Sequence, residues 1–154
     1  MIELLEALEA SPPASLLRTS FYLYPVVNAL HIVAIGALIT TAALMDLRVL
    51  GLGRAIPIAT AFGYLRPIAI TALILALATG FALFSVRPLE YIAIPLFQAK
   101  LALIVVATLN ALAFEFLDRR HDGQGAGLKA MVILSLVLWP TVLLCGRFIG
   151  FVSE

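Results

Sequence analysis

The sequence predicts an all-α integral membrane protein, a four-helix up-down bundle with a short amphipathic helix at its N-terminus. Three observations support this class. Of the 154 residues, 63% are hydrophobic and 12% are charged, whereas a soluble domain is about half apolar and about a quarter charged. The mean hydropathy is +1.11. Four segments are long and apolar enough to cross a bilayer, which takes about 20 residues in helical form.

The charge balance and the cysteine usage narrow the expected partners. The net charge is +1 and the sequence contains no basic run, which argues against nucleic acid as a partner. The single cysteine, Cys145, cannot form an internal disulfide. Cysteine usage therefore does not indicate whether the compartment is oxidising or reducing. The lipid bilayer is the partner that the composition predicts.

The first element, at about 2–17, is predicted to be a surface helix and not a cleaved signal. Three glutamates occupy positions at which a signal peptide carries Lys or Arg. Apolar residues beside them at near-helical spacing are typical of a helix that lies on a membrane surface, and packing on the end of the bundle is the alternative. Ser11 followed by Pro12 and Pro13 breaks the helix and can begin a second short turn.

The four spans are predicted at about 22–45, 67–86, 91–116 and 130–152, within one transmembrane domain that covers 1–154. Thr19 or Ser20 is positioned to cap the first span, and Pro67 suits an early position of the second. Because a bilayer offers no water to unpaired backbone groups, the spans are helices. The apolar segment 55–65 contains Pro57 and Gly63 and is expected to lie in the interface.

The basic residues of the connections indicate an orientation. Two connections carry three Lys or Arg each: Arg48, Arg54 and Arg66 in the first, and Arg119, Arg120 and Lys129 in the third. Basic loops remain in the cytoplasm. We therefore expect a multi-pass protein of the bacterial cytoplasmic (inner) membrane with both termini in the periplasm.

Three ionisable side chains are expected at similar depth in the outer half of the bundle. His31 lies about nine residues, roughly 13 Å, into the first span, and Lys100 about nine residues into the third. Arg147 lies about five to seven residues before the end of the fourth. Ionisable groups in lipid are costly and usually face a partner, a cavity or a cofactor. The alternatives are a structural hydrogen bond of His31 and snorkelling of the two cations to the interface.

Polar neighbours of His31 extend this candidate site. Tyr24, Asn28 and His31 follow i, i+4, i+7 spacing, which predicts a polar stripe on the inward face of the first span. Tyr24 and Asn28 are expected to orient the imidazole. In contrast, Asp46 and Glu115 lie near the cytoplasmic ends of their spans and are expected to be solvated.

Several short motifs carry a family resemblance: Tyr24-Pro25 with Asn28 and His31, Asp46-Leu47-Arg48, Phe97-Gln98-Ala99-Lys100, Asn110-Ala111 and Gly146-Arg147-Phe148-Ile149-Gly150. In these motifs the chain resembles a family of small, functionally uncharacterised bacterial four-helix inner-membrane proteins. That family is distantly similar to membrane proteins of the copper-resistance D and cytochrome b561 types. Members of the latter type hold haem b between helices through histidine pairs.

The resemblance implies haem b as a cofactor, with His31 as the metal ligand and with Lys100 and Arg147 beside the haem propionates. The chain departs from the haem pattern because it has no second intramembrane histidine. Haem iron would then be five-coordinate, or would take Lys100, Cys145 or a residue of a partner subunit. One imidazole and one thiol are too few ligands for a copper site.

Several classes of function follow. The first is a haem b-binding or quinone-interacting electron-transfer subunit, in which His31 is the axial ligand or bonds to a quinone carbonyl. The second is a non-catalytic membrane subunit or scaffold, in which the outer polar cluster docks a periplasmic partner or a lipid head group. The partners expected besides the bilayer are a periplasmic or membrane subunit or a second copy of the chain. Metal handling or transport is the third. An enzyme for soluble substrates is the least expected, since no nucleophile–base pair, phosphate loop or metal-ligand spacing occurs.

Overall fold

The computed structural model describes residues 2–121 and 126–152 and consists of helices joined by short connections. Seven helices follow one another in these residues: α1 (Ile2–Glu9), α2 (Pro12–Thr19), α3 (Leu23–Val49), α4 (Ile58–Phe84), α5 (Pro88–Ala93), α6 (Pro95–His121) and α7 (Ala126–Val152). Four of them, α3, α4, α6 and α7, are long and apolar enough to cross a membrane. The predicted fold class, an all-α membrane bundle of four long helices, is confirmed.

The N-terminal segment forms two helices and not one continuous element. Ser11 separates them in an extended conformation, and its hydroxyl donates to the carbonyl oxygen of Leu8 at 2.6 Å. α2 then begins at Pro12, since the fixed φ of proline suits the first helical position. An ion pair between Arg18 and Glu9, at 3.3 Å, joins the two helices.

Prolines account for two of the differences from the predicted spans. α4 begins at Ile58 and continues through Pro67, so residues 58–65 belong to this helix, which begins nine residues before the predicted span. Membrane helices tolerate such a proline because neighbouring groups satisfy the freed carbonyl. By contrast, α6 begins only at Pro95, because the residue before a proline is disfavoured in helical conformation. Ile94 is accordingly extended, and α5 is a separate helix.

A short turn joins α3 to α4 at one end of the bundle. Between α3 and α4, Gly51 and Gly53 adopt φ values of 104° and 65°, which favour glycine. Arg48 fixes this turn by donating from Nε to the carbonyl oxygen of Ile56 at 2.7 Å. Residues 122–125, between α6 and α7, lie outside the described residues.

The long helices pack in the order α4, α3, α7, α6. α3 packs along α4, α6 packs along α7, and the two pairs meet where α3 contacts α7. Over the described part of the chain, α4 and α6 make no backbone contact of comparable extent. The end at which α3 and α6 begin is termed the terminal end, and the short helices α1, α2 and α5 contact one another and the bundle there. The opposite end is the loop end.

Small residues allow the central helices to approach closely. The buried alanines of α3 and α4 are Ala34, Ala42, Ala69, Ala72 and Ala76. Because lipid is as apolar as a protein core, helix association in a membrane depends on such close van der Waals packing. Leu38, Ala107, Leu138 and Trp139 continue this core between the two helix pairs. Most large apolar side chains elsewhere on the long helices are exposed, as expected of surfaces that face lipid.

Candidate functional site

His31 lies on α3 with its ring against α4, in the half of the bundle near the terminal end. Its Nδ1 is 2.9 Å from Oγ1 of Thr79. Gly80 leaves room for the ring, since a Cβ at this position would lie 3.0 Å from Cε1 of His31. The imidazole is therefore held by the hydrogen bond to Thr79, by an interaction with the backbone of Ala76 and by the absence of a side chain at Gly80.

The hydrogen bonds of Thr79 determine the tautomer of His31. A threonine hydroxyl has one proton, and Oγ1 of Thr79 lies 2.6 Å from the carbonyl oxygen of Leu75, which can only accept. The hydroxyl therefore donates to Leu75 and accepts a hydrogen bond from Nδ1–H of His31. In the neutral ring the lone pair then resides on Nε2. His31 thus offers Nε2 as a hydrogen-bond acceptor or as a metal ligand.

Lys100 reaches the same region from α6. Its side chain lies along Gly146 of α7, where a Cβ would be 3.3 Å from Nζ. The ammonium interacts electrostatically with His31 and with Cys145. Among the described residues, the ion pairs at 4.0 Å or less do not include Lys100. The structure thus brings two of the three depth-matched side chains, His31 and Lys100, close together.

Arg147 does not join His31 and Lys100. It is exposed, and its Cζ lies 4.9 Å from the ring centroid of Phe151, one turn further along α7. Successive residues of a helix are rotated by about 100°. Because Gly146 faces Lys100, the next residue is turned away from it. The depth count from the sequence contained no information on this rotation.

Tyr24 and Asn28 also separate from the predicted cluster around the imidazole. Asn28 is exposed, since three residues along a helix leave it about 60° away from the direction of His31. Tyr24 is half-buried, and its hydroxyl interacts with that of Tyr91 on α5. The ring of Tyr91 lies 5.4 Å from that of Phe97. Tyr24 therefore belongs to an aromatic cluster at the terminal end.

This aromatic cluster gives one pH-dependent expectation. Burial raises the pKa of Tyr91, and the neighbouring Tyr24 hydroxyl raises it further. A phenol with a higher pKa in the folded chain contributes stability below its ordinary value of about 10, and that contribution is lost as the pH rises through the folded value. We expect Tyr24→Phe to lower the pKa of Tyr91. The phenolate absorbance, taken as the difference from Tyr91→Phe, measures it.

Tyr64 provides the control for this titration because it is 75% exposed. Tyr64→Phe should leave the Tyr91 titration unchanged. An unchanged Tyr91 titration in Tyr24→Phe as well would contradict the interaction between the two hydroxyls.

A second polar region, which the sequence analysis missed, lies toward the loop end. A cavity of about 360 Å³ is lined by α4 and α6 on its sides and by α3 and α7 at its base. Most of its lining is apolar and includes three aromatic rings, Phe62, Phe114 and Trp139. Its polar lining comes from all four long helices: Asp46, Arg66, Thr108, Asn110, Glu115 and Ser135. We refer to this space as the lateral cavity.

The lateral cavity opens toward the lipid-facing surface between α4 and α6. Ile70 and Leu112 line it and are at the same time 53% and 61% exposed. Nearer the loop end, the two helices are linked by an ion pair of 2.7 Å between Nη2 of Arg66 and Oε2 of Glu115. A lipid-soluble molecule therefore has a path into the cavity from the side of the bundle.

Asp46 corrects a sequence prediction. α3 continues to Val49, so Asp46 lies within the helix, and its carboxylate interacts with Ser135 of α7. Its Oδ2 is buried and, within the described residues, has no hydrogen-bond partner. The expectation of a solvated Asp46 is therefore wrong. Glu115 is likewise paired with Arg66. The sequence could have indicated this cluster, because Asp46, Arg66 and Glu115 lie at similar distances from the loop end of three spans.

Comparison of the chain with protein-family models, with curated proteins and with solved structures gives no match. The resemblance to the copper-resistance D and cytochrome b561 types therefore stays a prediction. Among the residues that the structure describes, no group of three or more His, Cys, Asp or Glu is arranged to hold a metal ion. The His31 region and the lateral cavity are therefore the two candidate sites.

Proposed function

We propose that the protein is a quinone-interacting electron-transfer subunit, in which Nε2 of His31 accepts a hydrogen bond from the hydroxyl of a quinol. The observation that supports this proposal is the hydrogen-bond chain from Leu75 through Thr79 to Nδ1–H of His31. This chain leaves Nε2 as a proton acceptor, and His31 is half-buried.

Lys100 supplies the complementary charge in this proposal. When a quinol hydroxyl gives its proton to Nε2, negative charge develops on the ring oxygen, and a nearby ammonium stabilises it. On the oxidised ring the same ammonium donates to the carbonyl oxygen. Oxidation of the quinol to the quinone releases two protons, the first to Nε2 of His31 and the second to water. The two electrons pass to a redox partner, which we expect to be another membrane or periplasmic subunit or a second copy of the chain.

Haem b is the second candidate, and the same tautomer favours it. A histidine that ligates a metal generally donates its other ring N–H to a protein acceptor, as Nδ1–H of His31 does to Thr79. His31 would hold the iron, which carries single electrons, and Lys100 is positioned for a propionate or as a second ligand. Arg147 and Asn28 are exposed and fit this arrangement less well than the sequence suggested.

The orientation is part of the proposal. Arg48 and Arg54 belong to the loop end, as does Lys129 near the start of α7. Because basic residues favour the cytoplasmic side, we infer that the loop end faces the cytoplasm of a bacterial inner membrane. His31 and Lys100 then lie in the periplasmic half. Cysteine accessibility scanning with a membrane-impermeant reagent in a Cys145→Ala background tests this orientation.

Thr79→Val tests the quinol site. Valine has nearly the same shape as threonine but cannot accept from Nδ1–H, so the tautomer is no longer fixed. Loss of one hydrogen bond of about 0.5–1.5 kcal/mol predicts a roughly two- to tenfold weaker binding of a quinol. His31→Phe should abolish binding. Titration of the protein in nanodiscs with a quinol of the ubiquinol class measures the affinity.

Thr141→Val is the matched control, because Thr141 also donates to a carbonyl four residues back.

An absorption spectrum of protein expressed with an adequate haem supply separates the two candidates. A Soret band that is lost in His31→Phe identifies haem. The redox proposal fails if wild type shows no Soret band and binds quinol no better than His31→Phe.

A further inference from the structure

The lateral cavity contains one carboxylate whose charge no described side chain compensates. Arg66 and Glu115 form an ion pair at 2.7 Å, so their charges cancel. The ion pairs among the described residues do not include Asp46, and its neighbour Ser135 is neutral. A carboxylate in an apolar environment is costly unless it is paired or hydrogen-bonded. Either a proton or a bound cation removes this cost.

The rest of the lining suits an organic cation. Phe114 and Trp139 line the cavity, and aromatic faces attract cations. The ring of Phe62 already has the Cζ of Arg66 5.2 Å from its centroid. The volume of about 360 Å³ lies within the range of small-molecule sites. The opening between Ile70 and Leu112 would admit an apolar tail from the lipid.

We propose that the lateral cavity binds a cationic amphiphile, an organic ammonium or pyridinium group on an apolar body. The cation lies beside Asp46, and the apolar body extends between α4 and α6. The cation compensates the negative charge of the Asp46 carboxylate, which the described side chains leave unpaired. The charged groups that face Asp46 across the cavity are Arg66 of α4 and Glu115 of α6, and α7 contributes only the neutral Ser135.

This site goes beyond the proposed redox function and does not depend on it. It lies toward the loop end, whereas His31 lies toward the terminal end, and the apolar core around Leu38 and Leu138 lies between them. His31→Phe should therefore leave cation binding unchanged. The two proposals can fail separately.

Trp139 provides the readout, since it is the only tryptophan of the chain and lines the cavity. N-octylpyridinium, a cationic amphiphile that quenches tryptophan fluorescence, is titrated into nanodiscs of zwitterionic lipid. Wild type should show saturable quenching. Asp46→Asn should weaken the binding at least about tenfold. Glu90→Gln, the same change at an exposed site, should bind as wild type does.

A second variant keeps Asp46 and fills the space. Ala111 lines the cavity from the exposed side of α6, so Ala111→Phe should abolish saturable quenching without removing the carboxylate. Equal affinity in wild type and Asp46→Asn would overturn the proposal and indicate a neutral occupant. Unchanged binding in Ala111→Phe, or quenching that follows lipid partition alone in wild type, would also overturn it.

Discussion

Ala72→Leu is expected to separate α3 from α4 and to lower the free energy of unfolding by about 1–3 kcal/mol, the usual cost of overpacking. Ala72 is 5% exposed and lies in the core with Leu38, Ala42 and Ala69. The isobutyl group of leucine has no space there unless the two helix backbones move apart. Loss of helicity during titration with sodium dodecyl sulfate measures the change.

Ala78→Leu, the same change on the same helix, is the control that separates the effect of packing on stability from the effect of helix propensity. Ala78 is exposed, so the leucine enters lipid and the stability should stay within about 0.5 kcal/mol of wild type. Similar midpoints for Ala72→Leu and Ala78→Leu would show that the α3–α4 contact is looser than the structure indicates.

Gly80→Val is expected to displace the ring of His31 and to break its bond to Thr79. A Cβ at position 80 would lie 3.0 Å from Cε1 and 3.6 Å from Nδ1 of His31, and the two methyl groups of valine need still more space. We expect a cost of about 1–3 kcal/mol from overpacking. We also expect quinol binding to fall at least as far as in Thr79→Val.

Nitrogen chemical shifts of the imidazole measure this displacement directly, because the chain has two histidines. Wild type should show His31 as the Nδ1–H tautomer, and Gly80→Val should show a mixture. Gly36→Val is the matched control, since a Cβ at Gly36 meets no atom within 4 Å. A pure Nδ1–H signal in Gly80→Val would contradict the close packing of His31 on α4.

The sequence was sufficient for the class of fold because hydropathy reports directly on burial in lipid. It was less informative about helix ends, since the effect of a proline depends on its surroundings. Pro95 begins a helix, whereas Pro67 lies inside one. A soluble amphipathic helix shows which face is buried, but a membrane helix is apolar on all sides. The rotation of each helix was therefore not available from the pattern.

This missing rotation explains the outcome for the candidate site. Depth along the helix brought His31 and Lys100 to one level, and the structure places them within electrostatic range of each other. Arg147 shares that level but is turned outward. Asp46 was expected at a solvated helix end, yet its position facing Ser135 depends on how α3 and α7 pack. Such pairings between distant segments arise from tertiary structure and not from spacing.

The gap between α4 and α6 makes the bilayer a component of the lateral cavity. A molecule that enters there is drawn from the lipid phase, so its occupancy depends on its mole fraction in the membrane and not on its concentration in water. Apparent affinities in dilute detergent, in nanodiscs and in cells should therefore differ with the volume of apolar phase. Lipids of different chain length should also compete for the opening to different degrees.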